Sequence, residues 1–369
     1  MLPVMFPVFM REFSLNYSEL GLLMTVFFVV SGLGQAFAGF LVDRWGARPL
    51  MFIALALFAA AACAAAAVTG YAGLVAVSAL AGLANATFHP VDFTILNQRV
   101  SSARLGYAFS AHGLSGNLGW AAAPVFFAGF GSLFGWRSAY LAAAVLYLAV
   151  LGLLALHRSQ LQTSVVASRS LDGFTEHPLA FVRLPVVWWC FAFFMLSTMT
   201  LAVIQGYSVS ILKAMHGISF EAATLTLTAY MLSGAVGMLW GGYIAGNALR
   251  SDRIVAAAMA VAALLLALCG SGLLGGSATM VVLAATGFAV GVGGPSRDMM
   301  IKRATPQGAT GRVYGLVYSG LDIGFAISPL VFGPMLDRGW YGATLIGAAL
   351  VLLLGVVAAL GVGYRTHHG

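Results

Sequence analysis

The sequence predicts an all-α membrane protein built from two similar six-helix halves. Three observations support this: the composition, the length of the apolar segments and an internal repeat. The chain has 369 residues, of which 61% are hydrophobic and only 8% are charged. A soluble domain carries about a quarter charged residues. A β-barrel would need alternating strands of about ten residues, whereas the apolar runs here are continuous and much longer.

The apolar segments define the predicted membrane spans. A helix needs roughly 20 apolar residues to cross the hydrocarbon core. Eleven segments reach that length, while an opening segment at 1–10 is too short. The eleven lie at 19–42, 49–69, 71–97, 105–130, 138–156, 185–211, 219–245, 254–274, 277–298, 312–333 and 342–363. The sequence therefore predicts an N-terminal transmembrane bundle at 1–156, a cytoplasmic linker at 157–184 and a C-terminal transmembrane bundle at 185–369.

The cations orient these spans. Of the 18 lysines and arginines, only Arg11, Arg137, Lys213 and Arg338 fall on one side when the connections are counted alternately. Positive charge marks the cytoplasmic side, so we expect the turn around Asp43 and the C-terminus to be cytoplasmic. The location expected is a bacterial inner membrane. Because the net charge of +7 is spread over loops, no nucleic-acid partner is expected.

An internal repeat relates the two halves. A shift of 205 residues pairs Gly82 with Gly287 and Pro90 with Pro295, and a shift of 202 pairs Gly39 with Gly241. A duplicated transporter places its substrate site between the halves near the midplane. By the same alignment the opening helix lacks its first turns. We therefore expect a twelve-span plan whose first span is truncated at its N-terminus.

The turn after the second span carries a family motif. It resembles the G-x-x-x-D-R-x-G-R-[RK] motif of the major facilitator superfamily, although Ala47 stands where an arginine is usual. The matching residues are Gly39, Asp43, Arg44, Gly46 and Arg48. The resemblance implies alternating access, with these five residues as a cytoplasmic gate. It also implies that Asp43 meets the N-terminus of the eleventh helix near Gly311. The alternative is a solvated loop charge that only sets topology.

A second resemblance concerns function. Phe88-His89-Pro90, with Gly116-Asn117-Leu118-Gly119 and Pro124, is similar to the fosmidomycin-resistance branch of efflux transporters. This resemblance implies proton-coupled export of a small organic molecule. Proton-coupled uptake of a small metabolite or anion is the alternative. The expected partners are the substrate, protons and the bilayer, and we expect a monomer without cofactor or metal.

Three titratable residues are candidates for proton coupling. Asp322 is expected near the midplane, where burial favours the neutral acid and proton exchange becomes possible near physiological pH. Its repeat mate is the neutral Asn117, so a single proton site would be asymmetric. His89 and His112 lie at similar depth on consecutive helices, and histidine titrates near neutrality. The alternatives are a structural acid and hydrogen-bonded core histidines.

Polar residues inside the spans are candidates for the substrate cavity. Amides and hydroxyls there suit either a cavity or contacts between helices. Arg297 could attract an anion, pair with Asp298 or extend its charge to the cytoplasm, and the sequence favours the last. The predicted cavity residues are Gln35, Asn85, Asn117, Gln205, Tyr207 and Arg297.

Two rival functions are weaker. Gly113-Leu114-Ser115-Gly116 fits the short G-x-S-G pattern of intramembrane serine proteases, with a histidine as base. The pattern is unspecific in a chain with 45 glycines, so we expect no enzyme. A membrane sensor would need a soluble output domain. The isolated Cys63, Cys190 and Cys269 show no paired or metal-ligand spacing.

Overall fold

The computed structural model describes residues 5–164, 179–247, 250–306 and 308–368. These residues form thirteen α-helices, and no strand occurs among them. The all-α prediction is therefore confirmed. The helices are α1 Phe6–Phe13, α2 Tyr17–Trp45, α3 Ala47–Ala66, α4 Tyr71–Asn85, α5 Phe88–Arg99, α6 Leu105–Phe134, α7 Trp136–Leu156, α8 Pro185–His216, α9 Phe220–Asn247, α10 Ser251–Gly270, α11 Gly276–Ala304, α12 Thr310–Asp337 and α13 Tyr341–His368.

Eleven segments among the described residues are long and apolar enough to cross a bilayer. Helices α4 and α5 together make one of them, Tyr71–Arg99. The others are α2, α3 and each helix from α6 to α13. The predicted number of full-length spans is thus confirmed. Helix α1 has eight residues, well short of the roughly 20 that a span requires.

The span made of α4 and α5 is broken near its middle. Asn85 ends α4 and Phe88 begins α5. Pro90 accounts for the break, because a proline ring clashes with the carbonyl four residues earlier and removes one backbone donor. Its repeat mate Pro295 lies inside the uninterrupted helix α11. Equivalent prolines therefore have different consequences in the two halves.

The helix bounds repeat along the chain. The spans Tyr71–Arg99 and Gly276–Ala304 are separated by the larger offset of the internal repeat at both ends. Helices α6 and α12 begin at Leu105 and Thr310, which are related by the same offset. Helices α2 and α9 end at Trp45 and Asn247, which are related by the smaller one. The offsets seen in the sequence thus recur in the secondary structure.

Packing divides the chain into two units that do not follow the sequence halves alone. Unit 1 comprises Met1–Arg99, Leu118–Glu176 and Gln307–Ser319. Unit 2 comprises Val100–Asn117, His177–Pro306 and Gly320–Gly369. The first turns of α12 therefore pack in unit 1, and the first turns of α6 pack in unit 2.

The predicted bundle boundaries at 156 and 185 stay a prediction. They coincide with the end of α7 at Leu156 and the start of α8 at Pro185. Residues 165–178 of the predicted linker lie outside the described residues, as do residues 1–4 of the opening segment.

Unit 1 has an aromatic core around α1. The Phe9 ring lies edge-on to Trp136, with centroids 5.4 Å apart, and stacks on Tyr140 at 6.4 Å. The start of α2 is fixed by a capping box, in which Asn16 and Glu19 each accept the other's backbone N–H. Short as it is, α1 is therefore packed among the longer helices of its unit.

Unit 2 is held by a close crossing of α9 and α11. A Cβ atom at Gly291 would overlap the carbonyl of Gly234, and one at Gly241 would overlap the carbonyl of Val292. Ser233 adds a very short hydrogen bond from its hydroxyl to the Ala284 carbonyl. Small residues allow such backbone approach in membrane helices.

Candidate functional site

The Asp43 carboxylate lies at the N-terminus of α12, within unit 1. It accepts the backbone N–H of Gly311 at 2.8 Å and that of Arg312 at 3.1 Å. The Arg312 Nε donates to the same carboxylate at 2.8 Å. First-turn N–H groups have no partner within their own helix, and the helix dipole favours a negative charge there. Asp43 thus caps α12 by accepting two of its backbone N–H groups, and it also pairs with the Arg312 guanidinium. The side chains of Asp43 and Arg312 are each only 13% exposed.

Glycines let α2 and α12 meet backbone to backbone beside this carboxylate. A Cβ at Gly39 would overlap the carbonyl of Gly311, and a Cβ at Gly315 would lie 2.5 Å from the carbonyl of Gln35. Neither carbonyl can move away cheaply, since each belongs to a helix. We call this contact the Asp43 seam, formed by Gly39, Asp43, Gly311, Arg312 and Gly315.

The remaining residues of the predicted gate lie around the seam. Gly46 ends α2 with φ +82°, a conformation that an L side chain rarely adopts. Arg44 is exposed and Arg48 is half-buried. Gly39 and Asp43 therefore contact the start of α12. Gly46 provides the positive-φ backbone conformation that ends α2. The gating role of all five stays a prediction.

The start of the linker docks beside the same turn. The Thr163 hydroxyl accepts the Ala47 N–H at 2.8 Å and so caps the first turn of α3. Ser164 donates its N–H and its hydroxyl to the Gln98 side chain, at 2.8 and 3.0 Å. These bonds join segments that are far apart in the sequence. No local periodicity could therefore have indicated them.

A cavity of about 280 Å³ lies next to the seam in unit 1. Thr94 is one of its lining residues, and the buried Thr94 hydroxyl makes no hydrogen bond to the described residues. A few water molecules, at about 30 Å³ each, would fit this space. The lining residues are Val42, Asp43, Thr94, Gln98, Ser164, Gly308 and Thr310.

His89 belongs to an aromatic cluster in unit 1. Its ring lies 4.4 Å from that of Tyr318, centroid to centroid. Phe93, one turn further along α5, contacts both Tyr314 at 4.8 Å and Tyr318 at 4.9 Å. His89 is half-buried here. His112, its proposed companion, belongs to unit 2, so each histidine has its own surroundings.

The predicted cavity amides of unit 1 lie in helix contacts. The Asn85 side chain donates to the Ser31 hydroxyl at 2.9 Å and so joins α4 to α2. Gln35 is fully buried on α2, beside Gly315 of α12. A substrate role for either amide stays a prediction.

Unit 2 holds a group of charged residues inside its spans. The Arg297 Nε donates to Asp298 at 3.0 Å, and its Nη2 donates to the other carboxylate oxygen at 3.4 Å. The guanidinium lies over the Phe194 ring of α8, 4.8 Å from its centroid. His112 of α6 lies within electrostatic reach of both charges. We call these four residues the Arg297 cluster.

A second helix contact in unit 2 joins α6 to α9. The Ser110 hydroxyl donates to the Met238 carbonyl at 2.7 Å. A Cβ at Gly242 would lie 2.6 Å from the Ser110 Cβ. Further along α6, the Asn117 amide contacts the Met238 sulfur at 3.5 Å. We call the contact of Ser110, Met238 and Gly242 the Ser110 seam.

Asp322 is buried, with 2% of its surface exposed, on the part of α12 that packs in unit 2. It lies twelve residues after Thr310, or about 18 Å along the helix, close to the middle of a core about 30 Å thick. The neighbouring Gly320 and Gly324 pack against α8 at Phe191 and Met195. Its role as a proton site stays a prediction.

Gln205 and Tyr207 lie much further along their helix than the other candidates. At about 1.5 Å per residue they are about 30 Å from the start of α8. Tyr207 interacts electrostatically with Asp337, the last residue of α12. Both are half-buried. If Gln205 and Tyr207 line a cavity, that cavity therefore lies near the C-terminal ends of α8 and α12.

Ser115 does not meet the geometry that a serine nucleophile needs. Its hydroxyl donates to the backbone carbonyl of His112, three residues earlier on the same helix, at 2.8 Å. A nucleophile would instead be hydrogen-bonded to the side chain of a base.

Known proteins resemble this chain over nearly its whole length. The family model described as Major Facilitator Superfamily matches residues 1–274 and 207–368. The probable nitrate/nitrite transporter NarK2 of Mycobacterium tuberculosis is 26% identical over 335 residues, which cover 89% of this chain and 82% of the relative.

Solved transporters share the fold at low sequence identity. The E. coli fucose:proton symporter FucP gives a TM-score of 0.77 at 15% identity and covers 98% of this chain and 93% of its own. The proton:xylose symporter XylE gives 0.75 at 15%, covering 97% and 89%. The human organic anion transporter MFSD10 gives 0.74 at 18%, covering 93% and 84%.

Proposed function

The chain belongs to the Major Facilitator Superfamily, and on that premise we propose that it is a proton-coupled symporter that brings a small anion into the cell. Members of this family are transporters, so the chain is a multi-pass membrane transporter and not an enzyme. The substrate, the coupling ion and the direction of transport are the proposed parts.

The Arg297 cluster is the observation that carries the anion proposal. Charged residues inside membrane spans are costly, and they mark ion or substrate pathways. Arg297 lies seven residues before the end of α11, or about 10 Å along the helix. It is paired with Asp298 and has an imidazole nearby. A planar guanidinium suits binding of a small oxyanion.

The relatives support the same substrate class. NarK2 bears the name of a probable nitrate/nitrite transporter, and it aligns with 89% of this chain. We take nitrate, nitrite and small carboxylates as the first compounds to test. Asp322 is the proposed proton carrier, because it is a buried carboxyl near the middle of a span, where small environmental changes alter the protonation state.

The Asp43 seam is the proposed gate of the alternating-access cycle. It joins α2 of the first sequence half to α12 of the second through the carboxylate of Asp43. Breaking the hydrogen bonds that Asp43 accepts from the Gly311 N–H, the Arg312 N–H and the Arg312 Nε would let the two helices separate on the predicted cytoplasmic side. The five motif residues predicted for the gate would act together here, with Arg44 in the last turn of α2 and Arg48 in the first turn of α3.

Transport assays in proteoliposomes test the proposal. The wild type should accumulate a member of the anion panel several-fold when the outside is made acidic, and should not accumulate it without a gradient. Asp322→Asn should keep anion exchange and lose gradient-driven accumulation. Asp337→Asn, at the last residue of the same helix, is the matched control and should behave as the wild type. Accumulation that does not respond to the pH gradient would contradict proton coupling.

Proton-coupled export of a small organic molecule is the second candidate. It is favoured by the resemblance of Phe88-His89-Pro90 and Asn117 to the fosmidomycin-resistance branch of efflux transporters. The same vesicles separate the two functions, since an antiporter moves substrate against the proton flow. Extrusion driven by an acidic outside, with no uptake of any panel anion, would favour export.

The proposed setting is a bacterial inner membrane, with the C-terminus in the cytoplasm and the protein acting as a monomer. The bias of the cations toward the Asp43 side supports this orientation. Reporter fusions after the last residue test it. An alkaline phosphatase fusion should be inactive and a green fluorescent protein fusion bright.

A further inference from the structure

The cavity beside the Asp43 seam is lined by a buried threonine whose hydroxyl has no partner among the described residues. Thr94 lies on α5, is 3% exposed and borders the cavity. Its Oγ1 atom makes no hydrogen bond to any residue that the structure describes. Buried side-chain polar atoms are bonded in the large majority of cases, either to protein or to ordered water. The partner of this hydroxyl is therefore to be sought in the cavity.

The Thr94 hydroxyl also differs from those of other buried threonines. A threonine in a helix can donate to the carbonyl four residues earlier. The buried Thr226, Thr286 and Thr344 all do so, at 2.8 to 2.9 Å. For Thr94 the corresponding acceptor would be the Pro90 carbonyl, and this bond is not made. The hydroxyl is thus directed away from its own helix.

Asp43 brings a second polar group to the same cavity. Its carboxylate accepts three hydrogen bonds, from the Gly311 N–H, the Arg312 N–H and the Arg312 Nε. An ionised carboxylate has about four acceptor sites, so it can accept one more donor. Thr310 lines the cavity as well. A buried water molecule needs about two to four polar partners, and Thr94, Asp43 and Thr310 can supply them.

The lining of this cavity contrasts with that of the other cavity in unit 1. Five of its seven lining residues have polar side chains, and the exceptions are Val42 and Gly308. A cavity of about 370 Å³ at the turn between α3 and α4 has a single polar side chain in its lining, that of Thr69. Cavities that stay dry are lined by apolar groups. The cavity at Asp43 therefore suits water and the second one does not.

Two lining residues form the wall between the cavity and the solvent. Gln98 and Ser164 border the cavity and are also exposed. The Gln98 Nε2 donates to the Ser164 carbonyl at 3.2 Å. The Ser164 N–H and hydroxyl donate to the Gln98 Oε1 at 2.8 and 3.0 Å. Three hydrogen bonds thus fix the start of the linker across the mouth of the cavity.

Building on the proposed gate, we infer that this cavity is a water-binding site that belongs to the gate. Water joins the Thr94 hydroxyl to the Asp43 carboxylate and so connects α5 to the contact of α2 with α12. The Gln98–Ser164 pair keeps the water in place. A bond through an ordered water molecule is nearly as favourable in enthalpy as a direct one. Thr94 is therefore a positioning residue of the gate, which acts on Asp43 through water.

Hydrogen exchange at the start of α12 tests the inference, because the Gly311 and Arg312 N–H groups are bonded to Asp43. The full chain in detergent is transferred to deuterated water. Thr94→Val keeps the shape and removes the hydroxyl, so exchange there should be about three- to tenfold faster. Thr94→Ser should exchange as the wild type does. Thr344→Val, an equally buried substitution in unit 2, is the matched control and should also leave it unchanged.

The position of the effect separates a water-mediated role from a merely structural one. Thr94→Val should accelerate exchange at the start of α12 and leave the start of α2 unchanged, where Asn16 and Glu19 form the capping box. Equal acceleration at both helices would overturn the inference. So would exchange in Thr94→Val that equals the wild type, or exchange in Thr94→Ser that equals Thr94→Val.

A filling variant distinguishes water from an apolar void. Val42→Ile adds one methyl group to a residue that lines the cavity. If water is bound there, the methyl group displaces it and exchange at the start of α12 should become faster. Filling a void would instead stabilise the structure, so slower exchange in Val42→Ile would overturn the inference.

The wall of the cavity is tested by the same measurement. Gln98→Ala removes all three hydrogen bonds to Ser164 and should accelerate exchange at the start of α12. Ser164→Ala keeps the backbone N–H and carbonyl that Gln98 binds, so its effect should be smaller. Exchange in Gln98→Ala that equals the wild type would overturn the role of the pair.

Failure of this inference is distinguishable from failure of the proposed function, because hydrogen exchange needs no substrate. If no panel anion is transported but the Thr94 variants differ as expected, the proposed substrate is wrong and the water site stands. If the wild type accumulates a panel anion while Thr94→Val exchanges normally, only the water site is wrong. Net transport should fall in Thr94→Val and return in Thr94→Ser. Faster exchange with normal transport would overturn the assignment of the site to the gate.

Discussion

The Asp43 seam and the Ser110 seam occupy equivalent places in the internal repeat but differ in chemistry. The larger offset of the repeat pairs Gly315 with Ser110, and the smaller one pairs Asp43 with Ala245. The first seam has a carboxylate with three donors. The second has one hydroxyl that donates to a carbonyl, and the position equivalent to Asp43 is the uncharged Ala245. Duplication thus preserved the close helix contact and not the charge.

Because the two seams differ in charge, we expect the helices of the Asp43 seam to be harder to separate than those of the Ser110 seam. A hydrogen bond to a charged group contributes about 1.5–3 kcal/mol, and a neutral one about 0.5–1.5 kcal/mol. The Asp43 seam should therefore dominate the stability of the closed gate. The Ser110 seam should act mainly through its shape, since Gly242 admits the Ser110 side chain only because it lacks a Cβ.

The largest effect is expected for Asp43→Asn. The amide keeps the size of the side chain but loses the charge that caps α12 and pairs with Arg312. The gate should open about tenfold more often for each 1.4 kcal/mol lost, and net transport should fall by at least that factor. A cysteine introduced at Thr310 should react faster with a membrane-impermeant maleimide added from the predicted cytoplasmic side.

Glu12→Gln is the matched control for Asp43→Asn. Glu12 also pairs with an arginine of unit 1, Arg137, but both side chains are at least 40% exposed. Exposed pairs contribute roughly 0–1 kcal/mol, so transport should change little. Normal transport and unchanged maleimide reactivity in Asp43→Asn would show that this carboxylate only sets topology.

Gly39→Ala should have the next largest effect. The new methyl group would overlap the Gly311 carbonyl, and overpacking of this kind costs about 1–3 kcal/mol. We expect a lower melting temperature in detergent and a more reactive cysteine at Thr310. Gly21→Ala on the same helix is the control, because a Cβ there meets nothing within 4 Å. Equal behaviour of the two variants would refute the close crossing of α2 and α12.

The spans could be predicted from a local signal, whereas the Asp43 contact could be predicted only through the resemblance of its motif to that of a family. Apolar length defines a span, and the charged motif resembles that of a known family. The ring contacts of His89 with Tyr318 and the cap of α3 by Thr163 have no such signal, since they join distant segments. The depth of Tyr207, in contrast, could have been counted from the start of its helix at Pro185.

Ser110→Ala should have a smaller effect than either glycine or charge substitution in the Asp43 seam. It removes one neutral hydrogen bond to the Met238 carbonyl, worth about 0.5–1.5 kcal/mol. A two- to tenfold change in exchange rate is expected, with an almost unchanged melting temperature. Ser110→Cys is the control, because it keeps a weak donor and a similar volume. A loss as large as that of Asp43→Asn would mean that the two seams contribute equally.

The smallest effect is expected for substitution of Thr163, a residue of the predicted linker that contacts the turn after the Asp43 seam. Thr163 caps α3 immediately after the Asp43 turn, whereas at α10, the repeat mate of α3, the side chain of the N-cap residue Arg250 makes no capping hydrogen bond. Loss of a capping hydroxyl costs about 0.5–2 kcal/mol. Thr163→Val should therefore speed hydrogen exchange at the start of α3, and Thr163→Ser should not. Because the cap is local, exchange at the start of α10 should stay unchanged in both variants. Equal acceleration at both helices would mean that the linker stabilises the fold as a whole and not the Asp43 turn.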